Sequence, residues 1–173
     1  MKYRLRKGKP SDLPRMMEIV RQGQISIGKL DINQWRNGYP SQDIINQDIE
    51  NGNSYVLTTD ADEVIAIATV IYNYEPTYDK IYDGEWLTHG DFVVVHRMAV
   101  AEEFKQQGIA SILLKGIEKQ AIADNIPAFK IDTHEGNIPM RKTFESNGFT
   151  YCGRIFLQDG NPRIAYEKII KQL

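Results

Sequence analysis

His96-Arg97-Met98-Ala99-Val100 and, just beyond it, Lys105-Gln106-Gln107-Gly108-Ile109-Ala110-Ser111 decide how this chain reads. The apolar, β-prone run Phe92 to Val95 leads into the pair. An amphipathic helix with Ile109, Ile112, Leu113, Gly116, Ile117 and Ala121 on one face leads out of it. A strand that turns through a glycine-containing loop directly into a helix leaves backbone N–H groups without helical partners, at the positive end of the helix dipole. That arrangement suits a phosphate or pyrophosphate, and the pattern predicts a nucleotide-bearing cofactor.

Outward from this centre, the alternation of short apolar and amphipathic runs predicts a mixed architecture. On the N-terminal side, Tyr3 and Leu5 alternate with charged residues as in a half-buried strand. Ser11-Asp12 opens a helix with Leu13, Met16, Met17, Ile19 and Val20 at helical spacing, and Pro14 is tolerated in its first turn. A polar, glycine-containing stretch through Gly28 and Gly38 ends at Tyr39-Pro40. Ser41 then caps a second helix with Ile44, Ile45 and Ile49. Ser54 to Thr59 and Val64 to Tyr74 form a hairpin, and the aromatic, turn-rich segment Pro76 to Gly90 reads as a lid, a binding loop or a hairpin tip. On the C-terminal side come a short strand, Ala128 to Thr133, a helix, Asn137 to Asn147, closed by Gly148, and a final hairpin of Tyr151 to Leu157 with Ile164 to Ile169. The expected order is β-α-α-β-β-β-α-β-α-β-β: an α/β (α+β) fold whose mixed, mostly antiparallel sheet of seven strands carries helices on both faces.

Bulk properties narrow the function. The 173 residues suit one domain, 1–173, with 42% hydrophobic and 25% charged residues. A net charge of −2 and a pI near 5.9 argue against a nucleic-acid partner. With Cys152 the sole cysteine, no intramolecular disulfide can form, which fits a reducing compartment. The absence of a long apolar run argues against a membrane, so the expectation is a cytoplasmic protein. His89, His96 and His134 lack ligand spacing, and no metal is expected.

The element order and two motifs together resemble the GNAT superfamily of acyl-CoA N-acyltransferases. The family's pyrophosphate loop, Arg/Gln-x-x-Gly-x-Gly/Ala, stands here as Lys105-Gln106-Gln107-Gly108-Ile109-Ala110, with lysine in the first place. A second block, Asn-x-x-Ala-x-x-x-Tyr-x-x-x-Gly-Phe, aligns with Asn137 to Phe149, where Met140 and Phe144 replace the alanine and the tyrosine. The resemblance implies acetyl-CoA as co-substrate, its pyrophosphate on Lys105 to Ser111. Its pantetheine arm would lie along the backbone of Met98, Ala99 and Val100, beside a bulged fourth strand. Asn137, Met140 and Phe144, at i, i+3 and i+7 of a helix, would line that arm.

The implied reaction is direct attack of an amine on the acetyl thioester. His96 is the candidate base, since imidazole titrates near working pH. A backbone N–H at Met98 would polarise the thioester carbonyl. The family's tyrosine acid is Phe144 here, so thiolate would depart with water or with another tyrosine, Tyr151 or Tyr72. Trp35, Tyr39, Tyr78 and Trp86, with Glu75 or Asp79 for an ammonium group, are candidates to line an acceptor pocket. The expected partner is a small-molecule amine or a peptide. Alternatives are an acetyltransferase for protein N-termini or lysines, and a non-catalytic acyl-CoA-binding sensor, which the loss of the tyrosine favours. The resemblance also carries the expectation of a homodimer through the edge of the final hairpin.

Overall fold

The structure, a computed structural model, describes residues 2–171. Its elements are β1 (Arg4–Lys7), α1 (Leu13–Gly28), α2 (Gln42–Glu50), β2 (Ser54–Thr58), β3 (Val64–Tyr72), β4 (Phe92–Val100), α3 (Ile109–Ala123), β5 (Ala128–Thr133), α4 (Ile138–Ser146), β6 (Thr150–Phe156) and β7 (Pro162–Ile169). They follow the expected order. The seven strands form one sheet in the order β1-β2-β3-β4-β5-β7-β6. The β1/β2, β2/β3, β5/β7 and β6/β7 pairs are antiparallel, and β4/β5 is parallel, from Phe92↔Ala128 to Val94↔Lys130. The parallel pair needs a crossover connection, which α3 supplies.

The chain divides into two compact units, Met1–Val70 with Val95–Ile117 and Ile71–Val94 with Glu118–Leu173. Three elements, β3, β4 and α3, pass from one unit into the other, so neither unit is a continuous piece of sequence.

In the first unit, Met16, Met17, Ile19 and Val20 of α1 pack with Ile45 of α2, Val56 of β2, Val64 and Ile67 of β3, and Ala99 and Ala101 at the end of β4. Each large side chain fully removed from water here contributes roughly 1.5–3 kcal/mol. Helix α1 is longer than its apolar run: it continues past Val20 to Gly28. Within that extension the Trp35 ring sits so close to Gly23 that a Cβ there would lie 2.7 Å from it, which requires glycine at this position. Ser41 caps α2 as expected, its hydroxyl accepting from Ile44 N at 3.3 Å.

In the second unit, α4 opens on Asn137, whose side chain accepts from Met140 N, and closes at Gly148 in a left-handed conformation. Phe144 and Phe149 of this segment stack with Phe129 and Tyr166 at centroid distances of 5.0–5.8 Å. The segment between β3 and β4 is pinned along its length and is not a free lid. Tyr78 Oη donates to Asp132 at 2.6 Å, and Trp86 Nε1 donates to Tyr78 O at 2.9 Å. Glu167 accepts from Leu87 N at 2.8 Å, from Thr88 N at 3.3 Å and from the Thr88 hydroxyl. Gly84 passes so close to β6 that a Cβ there would lie 1.9 Å from Cys152 O. Tyr82 exchanges two backbone bonds of 2.8 Å with Arg154 of β6, so part of the edge expected to serve a homodimer is already paired within the chain.

Candidate active site

The backbone of β4 carries one residue more than its neighbour. Ala101 N donates to Ile65 O and Asn73 N donates to Phe92 O, so the antiparallel register of β3 and β4 is defined at both ends. Ile65 to Asn73 is eight steps along β3, whereas Phe92 to Ala101 is nine along β4. One residue of β4 therefore bulges, and Arg97, at φ 52°, is the strand residue with left-handed geometry. Bulges re-aim the side chains and backbone groups that follow them.

Arg97 is held by a partner that the sequence reading did not single out. Its Nε and Nη2 donate to the two carboxylate oxygens of Asp48 on α2, both at 2.7 Å. Asp48 is 6% exposed and also accepts from Thr69 Oγ1 at 2.7 Å. Arg97 Nη1 donates to Tyr39 Oη at 3.1 Å. Burial disfavours the guanidinium charge most of any one influence, but Asp48 and Tyr39 together outweigh it and hold Arg97 above its ordinary range. The signal was present in the sequence: Asp48 lies three residues after Ile45 on the buried face of α2, where a carboxylate needs a partner.

The loop before α3 alternates in hand. Lys105 has φ −67°, Gln106 60° and Gly108 74°, with Gln107 between the two left-handed residues. Alternation of this kind turns successive N–H groups into a shared concavity that suits an anion. Ile112 N closes the first helical bond, onto Gly108 O, so the amides from Gly108 to Ser111 precede the helical ladder. No heavy atom lies within 4 Å of a Cβ built on Gly108, so the space in front of this backbone is open. Lys105 does not point freely into solvent: its ammonium bonds Ser26 Oγ at 2.6 Å and pairs with Glu102 at 2.7 Å. A phosphate drawing on Lys105 would compete with those two oxygens. Ile109 is buried in the core, while Gln106 and Gln107 are exposed and Ala110 and Ser111 are half-buried.

His96, Met98 and Val100 are half-buried on β4, on either side of the bulge, and Ala99 is committed to the apolar core. Trp35 packs against that core and Tyr39 is 40% exposed. In the second unit, Met140 is half-buried, but Asn137 is the buried cap of α4 and Phe144 is 1% exposed within its ring cluster. Phe144 thus serves packing rather than an open face, contrary to its expected place along the pantetheine arm. Tyr78 and Trp86 also depart from expectation. Their rings stack at 5.0 Å in a closed core and lie too deep to meet an acceptor. Trp86 and Phe92 cover the Lys130 ammonium at 4.4 and 4.7 Å. Burial holds that lysine below its ordinary range, against the pull of Glu167, its partner across the β5/β7 ladder. Glu75 caps a short turn, accepting from Thr77 N and Oγ1. Of the tyrosines considered as acids, Tyr72 donates to Asp124 at 2.6 Å, and Tyr151 is exposed and stacks on Tyr166.

Two other groups have settled states. Burial, then Arg163, lowers His134 below its ordinary range, and its Nδ1 accepts from Gly136 N at 2.9 Å. Burial and Glu167 push the Cys152 thiol up to about 11, which leaves it protonated and inert at neutral pH. Among the described residues no group of histidine, cysteine or carboxylate side chains could hold a metal, and no helix is long and apolar enough to cross a membrane.

The family model for the GNAT acetyltransferases matches residues 25–149. A comparison with curated protein sequences returned no match. Among solved structures, a GNAT-family acetyltransferase from Streptococcus agalactiae is 32% identical, with a TM-score of 0.90 over 98% of this chain and 96% of that one. A GNAT-family acetyltransferase from Listeria monocytogenes, 19% identical, shares the fold with a TM-score of 0.72 over 96% and 94% of the two chains. A ribosomal-protein alanine N-acetyltransferase from Escherichia coli, 14% identical, does so with a TM-score of 0.67 over 99% and 96%. With most of its length matched by the family model and a bulged β4 leading into the glycine loop of α3, the chain belongs to the GNAT family of acetyltransferases.

Proposed function

We propose that the protein transfers an acetyl group from acetyl-CoA to a primary amine of a small molecule by direct attack. The observation that carries the reading is the loop of alternating hand before α3, with open space at Gly108. Its amides and the start of the α3 dipole hold the pyrophosphate, and Lys105 adds a cation once drawn from Ser26 and Glu102. The pantetheine arm runs along the backbone of Met98, Ala99 and Val100. The arm pairs with strand groups that the bulge at Arg97 has turned, as an added strand would.

In the reaction, the amine nitrogen attacks the thioester carbonyl carbon, the new C–N bond forms, and the C–S bond breaks. The Met98 N–H donates to the carbonyl oxygen as charge builds there. His96 takes the proton that the amine loses. The departing sulfur takes its proton from water, because Phe144 has none to give and is closed off from the surface. Loss of a protein acid of this kind slows turnover by about 10²–10⁴-fold without abolishing it. On the acceptor side, Tyr39 and Trp35 belong to the loop between α1 and α2.

The test is CoA thiol release from acetyl-CoA at mildly alkaline pH with polyamines, amino acids, aminoglycosides, aralkylamines and short peptides as acceptors. Release that depends on a small amine supports the reading. Release only with peptides moves the acceptor to protein N-termini or lysines. Binding of acetyl-CoA with no release on any acceptor makes the protein an acyl-CoA sensor.

A further inference from the structure

We infer that Asp48 and Arg97 form a positioning clamp that sets the β4 bulge, and with it the direction of the backbone groups at Met98, Ala99 and Val100. The inference rests on the proposed course of acetyl-CoA along β4. A left-handed conformation at a non-glycine residue persists only where the surroundings hold it. At Arg97 the holding contacts are on the side chain: a fork of two 2.7 Å bonds to one carboxylate, whose two oxygens fix the plane of the guanidinium. Asp48 cannot swing away, because it is buried on α2 and its Oδ2 is also bonded by Thr69 Oγ1 of β3. The bulge is thus tied at one point to a helix and to the neighbouring strand.

The same guanidinium reaches the loop between α1 and α2 through Tyr39 Oη. Gln24 Nε2 of α1 holds the Tyr39 carbonyl at 3.1 Å, so this loop is tied at both its backbone and its side chain. A buried ion pair is a weak source of stability but a strong means of fixing one arrangement over another. Here the arrangement fixed is which backbone groups of β4 are turned out after the bulge. Lysine in place of Arg97 would keep the charge and lose the fork.

Titration calorimetry with two ligands tests the clamp. Acetyl-CoA needs both the glycine loop and β4, whereas adenosine 3′,5′-bisphosphate keeps one of the two pyrophosphate phosphoryl groups, lacks the pantetheine arm and needs the loop alone. In Arg97→Lys and Asp48→Asn, acetyl-CoA affinity is expected to fall by about tenfold or more, ~1.4 kcal/mol. The bisphosphate should stay within about twofold, a change too small to reflect a lost contact. Thr69→Val removes one Asp48 bond at constant volume; it should give a smaller loss with the same selectivity, and it decides the matter if the other variants do not fold. Unchanged acetyl-CoA affinity in folded variants overturns the clamp and leaves the proposed function standing. Parallel losses of both ligands overturn it as well, because they mean general distortion. A wild-type protein that binds neither ligand removes the proposed function, and the clamp's role with it.

Discussion

Replacing Gly108 by alanine separates the two properties that the structure gives this position. The residue sits at φ 74°, and a Cβ added there meets no heavy atom within 4 Å. No clash arises, so the folding cost is conformational. An alanine in the left-handed region costs about 1–2 kcal/mol, and the stiffer unfolded chain returns about 0.4–1 kcal/mol of it. The net loss of about 1 kcal/mol lowers Tm by roughly 2–4 °C for a chain of this length. On the proposed binding of pyrophosphate by this loop, ligand affinity should respond more strongly, because the new methyl would occupy the open space in front of the amides. Losing a single hydrogen bond to a charged group costs about 1.5–3 kcal/mol, which is roughly a 10–100-fold rise in Kd. Calorimetry with acetyl-CoA and a thermal melt of the unliganded protein measure the two effects side by side. The variant should bind both acetyl-CoA and adenosine 3′,5′-bisphosphate weakly, unlike the clamp variants. Undiminished affinity with a lowered Tm would refute the assignment of this loop to the phosphates. A fall in Tm beyond about 10 °C would refute the conformational argument.

Glu167→Gln removes the charge that accepts from Leu87 N, Thr88 N and the Thr88 hydroxyl, and it leaves Lys130 without its facing carboxylate. The expected loss is about 2–3 kcal/mol, a Tm drop of roughly 5–10 °C, with faster amide exchange at Leu87 and Thr88. Unchanged exchange there would show that the loop is pinned by other contacts. Phe144→Tyr pushes a hydroxyl into a closed ring cluster, so stability falls by about 1–3 kcal/mol and turnover does not rise; a higher kcat would mean that the new hydroxyl reaches the sulfur. His134, lowered in the fold from 6.5, favours the neutral form, so its contribution to stability is present above that value and is lost as the pH falls below it. His134→Asn should therefore flatten the dependence of Tm on pH below 6.5, and an unaltered slope would count against the burial of this imidazole. Ser54→Ala removes a buried hydroxyl without a hydrogen-bond partner and should be neutral or stabilising by up to about 1 kcal/mol, read by denaturant unfolding.

The elements and their order were legible in the chain because they rest on local properties. Helical spacing marks α1 and α3, Ser41 and Asn137 mark caps, and alternation with turn residues marks the hairpins. The loop Lys105 to Gly108 was legible for the same reason: its glycine and the amphipathic run after it are neighbours in sequence. Burial and pairing depend on residues far apart in the chain, and there the sequence alone was mute or misleading. Tyr78 and Trp86 have the composition of a binding surface, yet Asp132, Lys130 and Glu167 lock them and their loop into a core. Phe144 falls on a helix face open on paper and closed in space by Phe149 and Tyr166. The bulge at Arg97 shows the division most clearly. The family resemblance implied a bulge in the fourth strand, but nothing in His96-Arg97-Met98 says which residue is the extra one, because a bulge exists only relative to the neighbouring strand. Asp48 becomes the partner of Arg97 only once α2 is laid beside that strand. Sequence determines the local shapes and which side chains prefer to leave water; the fold alone determines which polar groups, once buried, find one another.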